Sequence, residues 1–255
     1  WSITHLPIPK VMRYQLADGV SSVRFVRPAH GLVALWGSDI VPVSALGLQA
    51  GRQTHGHRFM CDAPFDIRDA DSWAAQVQEQ GWVVPSFEVR REQIRTDLEA
   101  EAKRLNSTLG NDPEVEALLN EVTALVEYPT VYVGQFDEQF LQVPSECLIL
   151  TMKANQKYFP LVDTHGKLTN QFLVVSNISP DDASAVIGGN ERVVRPRLAD
   201  AKFFFDQDRK KTLASRVEGL GKVVYHNKLG TQGERVERVR AIAKAIATQL
   251  GDAQL

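Results

Sequence analysis

The sequence lacks most of the features that indicate a secreted, membrane-bound or generally nucleic-acid-binding protein. It contains two cysteines, Cys61 and Cys147, too few for a disulfide framework, which favours a reducing compartment over secretion. No apolar run is long enough to span a bilayer, and no stretch has the pattern of a signal peptide. The net charge of −2 gives no general attraction to nucleic acid or membranes, so any anion site must be a local patch.

Motifs for nucleotide binding and for nucleophilic catalysis are also missing from the sequence. There is no phosphate-binding loop ending in Gly-Lys-Ser/Thr, no Gly-x-Ser-x-Gly, and neither cysteine has a recognisable partner. Acidic pairs such as Asp181-Asp182 fit the start of a helix better than a pair of catalytic carboxylates. We therefore predict no catalytic residue in this chain.

One loop has the residue types of a transition-metal site. His55 and His57 flank Gly56, and Cys61 follows four residues later. A zinc site would need further ligands, and no partner motif supplies them. The alternative is a loop-to-strand junction in which Gly56 permits a tight path, and His57 and Arg58 bond to the backbone or to neighbouring side chains. We favour this alternative and predict no metal.

Strands and helices alternate up to about residue 205, and helices alone are predicted beyond it. This order predicts an α+β domain over residues 1–205, followed by the start of a helical domain over residues 206–255. The densest pattern lies between residues 144 and 205. It predicts a helix, a hairpin that turns at residues 163–166, and then two further helices.

The boundary between those two helices is predicted at a pair of glycines. Gly188-Gly189 is typical of a helix stop, and Asn190 is a suitable cap for the helix that follows. The backbone N–H groups at such a helix start could alternatively bind an anion.

Basic residues are concentrated in and around this segment, with aromatic residues between them. The candidate contacts are Lys153, Lys157, Arg192, Arg195, Arg197 and Lys202. Basic side chains neutralise phosphates, and aromatic side chains such as Tyr158 and Phe203 can stack on bases. The alternative is a solvated helix face with the phenylalanines in the core, which composition alone favours because nearby aspartates dilute the charge.

Six stretches resemble one protein family, in the same order and across nearly the whole chain. They are LPIPKVMRY, FVRPAHGLVALWG, HGHRF, TMKANQKYFPL, GNERVVRPRLADAKFFFDQDRK and KLGTQGERVERV. Together they are similar to the beta subunit of bacterial heterotetrameric glycyl-tRNA synthetase. On this resemblance we expect the chain to be an internal fragment of that subunit.

The resemblance implies a division of tasks between two kinds of subunit. The α2β2 holoenzyme would work in the cytoplasm and attach glycine to its tRNA, using ATP and magnesium at an active site on the alpha subunit. The beta subunit would handle the tRNA, so this fragment would need no cofactor. Residues 1–205 would resemble the editing-type domain of the phenylalanyl-tRNA synthetase beta chain, with a mixed sheet and helical insertions. Residues 206–255 would begin an HD-type helical domain.

Within that family, the six basic residues are expected to contact tRNA. A structural alternative pairs Arg192 or Arg195 with Asp200 or Asp206. Two other functions stay open: a scaffold that joins the alpha subunit to the anticodon-binding region, and hydrolytic editing in a cleft near His55, His57 and Cys61. A tRNA-binding surface predicts an exposed basic stripe, whereas a scaffold predicts buried or ion-paired arginines and an exposed apolar patch for a protein partner.

Overall fold

The computed structural model describes residues 2–110 and 112–251, and it begins with short strands that pair with their neighbours along the chain. After a 3-10 turn at Ile3–His5, the strands are β1 (Met12–Gln15), β2 (Ser22–Phe25), β3 (Leu35–Trp36), β4 (Asp39–Ile40), β5 (Ser44–Ala45), β6 (Leu48–Gln49), β7 (Gln53–Thr54) and β8 (Phe65–Asp66). Each odd-numbered strand pairs antiparallel with the next one. Such short strands bury little surface, and no residue from 5 to 56 is buried.

Helices then provide the first apolar layer of the core. They are α1 (Trp73–Glu79), α2 (Phe87–Arg104) and α3 (Glu114–Leu125). The Ser86 hydroxyl accepts a hydrogen bond at the start of α2, and the Asp112 carboxylate accepts one at the start of α3. Ile94, Leu98 and Ala102 are buried at intervals of four residues, so one face of α2 packs against α3 and the sheet that follows.

The central sheet lies between two helical layers. Its strands are β9 (Thr130–Gln135), β10 (Phe159–Val162) and β11 (Leu168–Ser176), in the antiparallel order β10-β11-β9. Side chains alternate along β11, so Leu173 faces the cluster formed with α2 and α3, whereas Phe172 and Val174 face the opposite side. The hairpin predicted around residues 163–166 is confirmed.

Helical elements cover that opposite side of the sheet. They are a 3-10 helix (Glu138–Gln142), α4 (Ser145–Leu150), a π-helix (Thr151–Gln156) and α5 (Ser184–Asp208). Phe172 stacks against Tyr158 with ring centroids 4.8 Å apart, and Met152, Val194 and Leu198 complete the buried cluster. Helix α5 is thereby held against the sheet along its apolar side.

Helix α5 is continuous where the sequence predicted a break. It runs through Gly188 and Gly189 and also contains Pro196. Asn190 is not a cap, because its side-chain amide donates to the carbonyl of Val186 one turn earlier. The predicted anion site at this point is therefore wrong, since the N–H groups of an interior turn are used within the helix.

The last part of the chain contains a hairpin as well as helices. After α5 come α6 (Leu213–Arg216), a 3-10 helix (Val217–Lys222), β12 (Val224–His226), β13 (Gly230–Thr231) and α7 (Gln232–Leu250). Strands β12 and β13 pair antiparallel, which corrects the prediction of helices alone beyond residue 206. Thr231 and Glu234 form a capping box at the start of α7.

The type of sheet differs from the expectation, and the predicted domain boundary falls within a helix. The α+β class is confirmed, but the mixed sheet is not found, because every ladder between described strands is antiparallel and the one parallel contact is an isolated bridge between Val33 and Gly51. The boundary predicted between residues 205 and 206 falls inside the last turn of α5. The division into domains stays a prediction, and residues 1, 111 and 252–255 of those ranges lie outside the described residues.

Candidate nucleic-acid interface

Helix α5 presents an apolar face to the core and a basic face to solvent. Val194 and Leu198 are fully buried four residues apart on the inner face. At 100° per residue, Arg192, Arg195 and Arg197 lie away from that face, and all three are exposed. The helix therefore displays three guanidinium groups within two turns.

Hydrogen bonds to the rest of the fold fix the first half of α5. The hydroxyl of Tyr158 donates to Oδ1 of Asn190 over 2.7 Å, and the backbone N–H of Gln135 donates to Oε1 of Glu191 over 2.9 Å. Burial raises the pKa of the Tyr158 hydroxyl above its ordinary value, so the group stays protonated and remains a donor at neutral pH. Arg192 follows directly after these anchors, so its backbone position is set by the sheet.

The three arginines lack an anionic partner among the described residues. Within the residues that the structure describes, none of them forms an ion pair or a side-chain hydrogen bond. The predicted alternative, a pair between Arg192 or Arg195 and Asp200 or Asp206, is therefore wrong. Asp206 instead accepts from Lys202 over 2.7 Å.

The lysines of the predicted set differ from the arginines, because each has a carboxylate partner. Lys153 is only 8% exposed and bonds to Asp112. This hydrogen bond from Lys153, together with the N–H of Glu114, lowers the pKa of the Asp112 carboxyl below its ordinary value. Lys157 adopts a left-handed backbone conformation (φ 61°) and bonds to Glu121 over 2.9 Å.

These ion pairs give the lysines a structural task. The pairs of Lys153 and Lys157 join the segment before β10 to α3, and the pair of Lys202 lies within α5. A role for Lys153, Lys157 and Lys202 in tRNA contact stays a prediction, whereas the arginines have their charge free for a ligand.

The run of phenylalanines at the end of α5 is divided between core and solvent. Phe205 packs against the buried cluster, with the guanidinium of Arg209 5.5 Å from its ring centroid. Phe203 and Phe204 are 57% and 64% exposed, and their rings meet edge to face with centroids 5.5 Å apart. The expectation of core phenylalanines therefore holds for Phe205 alone. Nine residues separate Val194 from Phe203, which is half a turn at 100° per residue, so helical periodicity could have identified this exposure.

The loop with two histidines and a cysteine forms a junction between segments. His57 is buried, its Nε2 donates to the carbonyl of Asn177 over 2.5 Å, and its Nδ1 accepts from the N–H of Phe59 over 3.2 Å. Gly56 permits the tight path that we favoured, since a Cβ there would collide with the backbone of Gly81. Both ring nitrogens of His57 are thus occupied, which leaves neither for metal ligation or for proton transfer.

A cleft of about 610 Å³ lies beside this junction, lined by residues that include His30, His55 and Cys61. Among the described residues, no group of three or more His, Cys, Asp or Glu side chains is placed to hold a metal ion. Neither His30 nor His55 makes a side-chain hydrogen bond to a carboxylate in this part of the chain. The cleft therefore lacks the oriented base that nucleophilic hydrolysis requires.

Comparison with known proteins decides the family. The model of the glycyl-tRNA synthetase beta subunit family matches residues 1–255. The chain belongs to the glycyl-tRNA synthetase beta subunit family. The glycine–tRNA ligase beta subunit of Delftia acidovorans is 72% identical across 100% of this chain, and that of Methylobacillus flagellatus is 65% identical across 100%. A third relative of the same name, from Janthinobacterium, is 68% identical across 98%.

The glycyl-tRNA synthetase beta subunit relatives are longer than this chain, which spans 36% of the length of each of these three. The predicted resemblance is confirmed at the level of the family. Among the helices described here, none is both long and apolar enough to cross a membrane.

Proposed function

We propose that this chain is a tRNA-handling part of a glycyl-tRNA synthetase beta subunit, and that Arg192, Arg195 and Arg197 contact the phosphates of glycine tRNA. The observation that carries the proposal is the set of three exposed arginines on one anchored helix, which have no carboxylate partner in the part of the chain that the structure describes. Arginine suits this task because its planar guanidinium binds phosphate through two parallel hydrogen bonds.

The local charge supports the same proposal. Residues 192–211 contain seven lysines and arginines against three aspartates, although the chain as a whole has a net charge of −2. Two of those aspartates, Asp206 and Asp208, are already paired with Lys202 and Arg216. The positive charge is therefore concentrated on α5 and the turn after it, and it would attract a polyanion locally.

The proposed mechanism is positioning, with no chemical step on this chain. Phosphate contacts fix the orientation of a bound nucleic acid without reading its sequence. In the proposed α2β2 enzyme, ATP, magnesium and the glycylation site would belong to the alpha subunit, and the fragment would work in the cytoplasm without a cofactor of its own. The family membership supports this assignment of tasks.

The test uses the intact synthetase with Arg192, Arg195 and Arg197 changed to alanine, and it measures glycine tRNA binding across a salt series. Each phosphate contact contributes about 0.7 to 0.9 to the slope of log affinity against log salt, so we expect the triple variant to lower the slope by about 2 to 3. The matched control changes the same residues to lysine, which keeps the charge and should keep most of the slope. An unchanged slope in the alanine variant would remove the arginines from the interface.

A second candidate function is a scaffold between the alpha subunit and the anticodon-binding region. The observation that favours it is the apolar face of α7, where Val239, Ile242 and Ile246 are each more than half exposed. No residue from 206 to 251 is buried, so this face has no partner within the described chain. Changing Ile242 to glutamate should then weaken assembly with the alpha subunit, measured by size-exclusion chromatography, and leave the salt slope of tRNA binding unchanged.

A further inference from the structure

The exposed end of α5 combines aromatic and basic side chains. Phe203 and Phe204 expose most of their surface, and their rings stand nearly perpendicular to each other, at 75°. Exposed large apolar groups beside charged ones are typical of binding sites rather than of an inert surface. The two rings do not join the buried cluster that takes in Phe205.

Phe203 lies on the same side of α5 as Arg192, and Phe204 is rotated by about 100° from it, toward the side that carries Arg197. Arg192 and Phe203 are eleven residues apart, which is close to three full turns and about 16 Å along the axis. Pro196 and Ala199 lie between them on that side, and both are exposed and small enough to leave the path open. Arg195 borders this path on one flank, and Arg209, Lys210 and Lys211 lie exposed beyond the rings.

We propose that the solvent-exposed surface of α5 binds unpaired nucleotides of an RNA, with Phe203 and Phe204 stacking on bases and the arginines holding the phosphates on either side. This inference rests on the proposed function and names the kind of RNA element involved. Bases in a duplex are covered by their neighbours, so exposed rings can stack only on bases that are unpaired. Single-strand binding sites use this combination of a basic path and aromatic side chains.

Charge favours RNA over a protein as the occupant. A protein partner would need an apolar patch for the rings and carboxylates at the positions of Arg192, Arg195 and Arg209. A single strand of RNA supplies both chemistries in every nucleotide, because each base has an apolar face and each linkage has a negative charge. Association with a protein is accordingly an outcome that the test distinguishes.

The test measures the affinity of the intact synthetase for an unstructured RNA of about ten nucleotides and for a duplex of equal length, the range that such sites accommodate. We expect the variant F203A/F204A to bind the single strand about tenfold more weakly or worse, with the duplex unaffected. Changing the pair to leucine keeps the apolar surface and removes the aromatic face, so it should weaken binding of the single strand to a similar extent. Changing the pair to tyrosine should preserve binding.

A control variant at comparable exposed apolar positions, L150A/L213A, should leave both affinities unchanged, since both leucines are exposed and lie outside the path. A second arm compares glycine tRNA with the same tRNA lacking its unpaired 3′ nucleotides. If the phenylalanine variants lose affinity for the complete tRNA alone, the bound nucleotides are those of the 3′ end. Equal losses of affinity for the complete and the shortened tRNA would assign the site to unpaired nucleotides elsewhere in the tRNA.

Failure of this inference can be told apart from failure of the proposed function. Suppose that the alanine and leucine variants of Phe203 and Phe204 bind the single strand like the unaltered protein, while the alanine variant of the three arginines lowers the salt slope. The stacking role is then wrong, and phosphate contact stands. If the arginine variants leave the slope unchanged, the proposed function fails regardless of the rings. If F203A/F204A no longer assembles with the alpha subunit and the leucine variant of the same pair still does, the two rings form a protein interface, and the inference is overturned.

Discussion

The region from residue 57 to residue 205 and the regions on either side of it differ in where their apolar side chains lie. In the middle region, the sheet has a buried cluster on each face, and residues such as Phe159 and Phe172 are almost fully covered. Residues 5–56 and 206–251 contain no buried residue at all. The large apolar side chains of those flanks, such as Trp36, are instead at the surface.

This difference shows where a binding surface with fixed geometry can be built. A side chain keeps its position when the backbone beneath it is held by buried contacts, and α5 is the element that shares the middle region's core while exposing its other side. The flanks lack that support within the described chain. Their exposed apolar side chains are suited to contacts with other protein surfaces, which is why α7 supports the scaffold candidate.

The largest expected effect comes from removing a ring at the centre of the middle region. Phe172 is fully buried and stacks on Tyr158, so changing it to alanine should lower the free energy of unfolding by about 3 to 5 kcal/mol. Trp36 in the first flank is 80% exposed, and the same change there should cost less than about 0.5 kcal/mol. Urea-induced unfolding measures both, and equal losses would contradict the division into a cored middle and open flanks.

A smaller effect is expected from adding one methyl group to the sheet. Gly134 lies opposite Phe172 in the ladder between β9 and β11, and a Cβ there would lie 2.5 Å from Cζ of the Phe172 ring. The ring is buried and cannot move aside, so Gly134 to alanine should cost about 1 to 3 kcal/mol. Gly219, in the second flank, has no atom within 4 Å of an added Cβ, so its change to alanine is the matched control and should be nearly neutral. A similar loss for both glycines would contradict the collision with Phe172, because the lower entropy of an unfolded chain with alanine favours the folded state at both positions.

The parts of the fold that could be predicted from sequence are those that local chemistry determines. Helix α2 begins at the Ser86 cap, α3 begins after Asp112, and the hairpin turns at residues 163–166, because capping and turn residues act on their nearest neighbours. The break at Gly188-Gly189 was wrong because tertiary packing outweighs the preference of glycine. Val194 and Asn190 are held by partners on other elements, and those contacts keep the helix continuous.

The candidate site could be predicted in part. The sequence indicated a basic segment, but it could not separate free cations from paired ones, because the pair of Lys153 with Asp112 joins residues 41 positions apart. Nor could it show that the arginines have no partner, which depends on the positions of the aspartates in three dimensions. The exposure of Phe203 was available from helical periodicity, because Val194 and Phe203 both lie in the helix predicted after Asn190.

The smallest expected effect is a pH dependence that has opposite signs at two aspartates of the middle region. The hydrogen bond from Lys153 lowers the pKa of Asp112, whereas burial, followed by repulsion from Glu101, raises the pKa of Asp97. A lowered pKa in the folded state means that Asp112 stabilises the fold above the ordinary value of about 3.9, and that this contribution is lost as the pH falls through the lowered pKa. A raised pKa means that the charge on Asp97 destabilises the fold at neutral pH, and that this cost disappears as the pH falls below the ordinary value.

Two asparagine variants therefore form a matched pair, compared by urea-induced unfolding at pH 7 and near pH 3. Asp112 to asparagine should lower the free energy of unfolding at pH 7 by no more than about 1 kcal/mol, because the Asp112 carboxylate is partly exposed and screened. This loss should shrink at the lower pH. Asp97 to asparagine should leave stability unchanged or increase it at pH 7, with the difference again shrinking in acid. If Asp112 to asparagine left stability unchanged at pH 7, the ion pair with Lys153 would not stabilise the junction between α3 and the π-helix, and the support beneath α5 would come from apolar packing alone. A loss of stability for Asp97 to asparagine would contradict the cost assigned to burying the Asp97 charge.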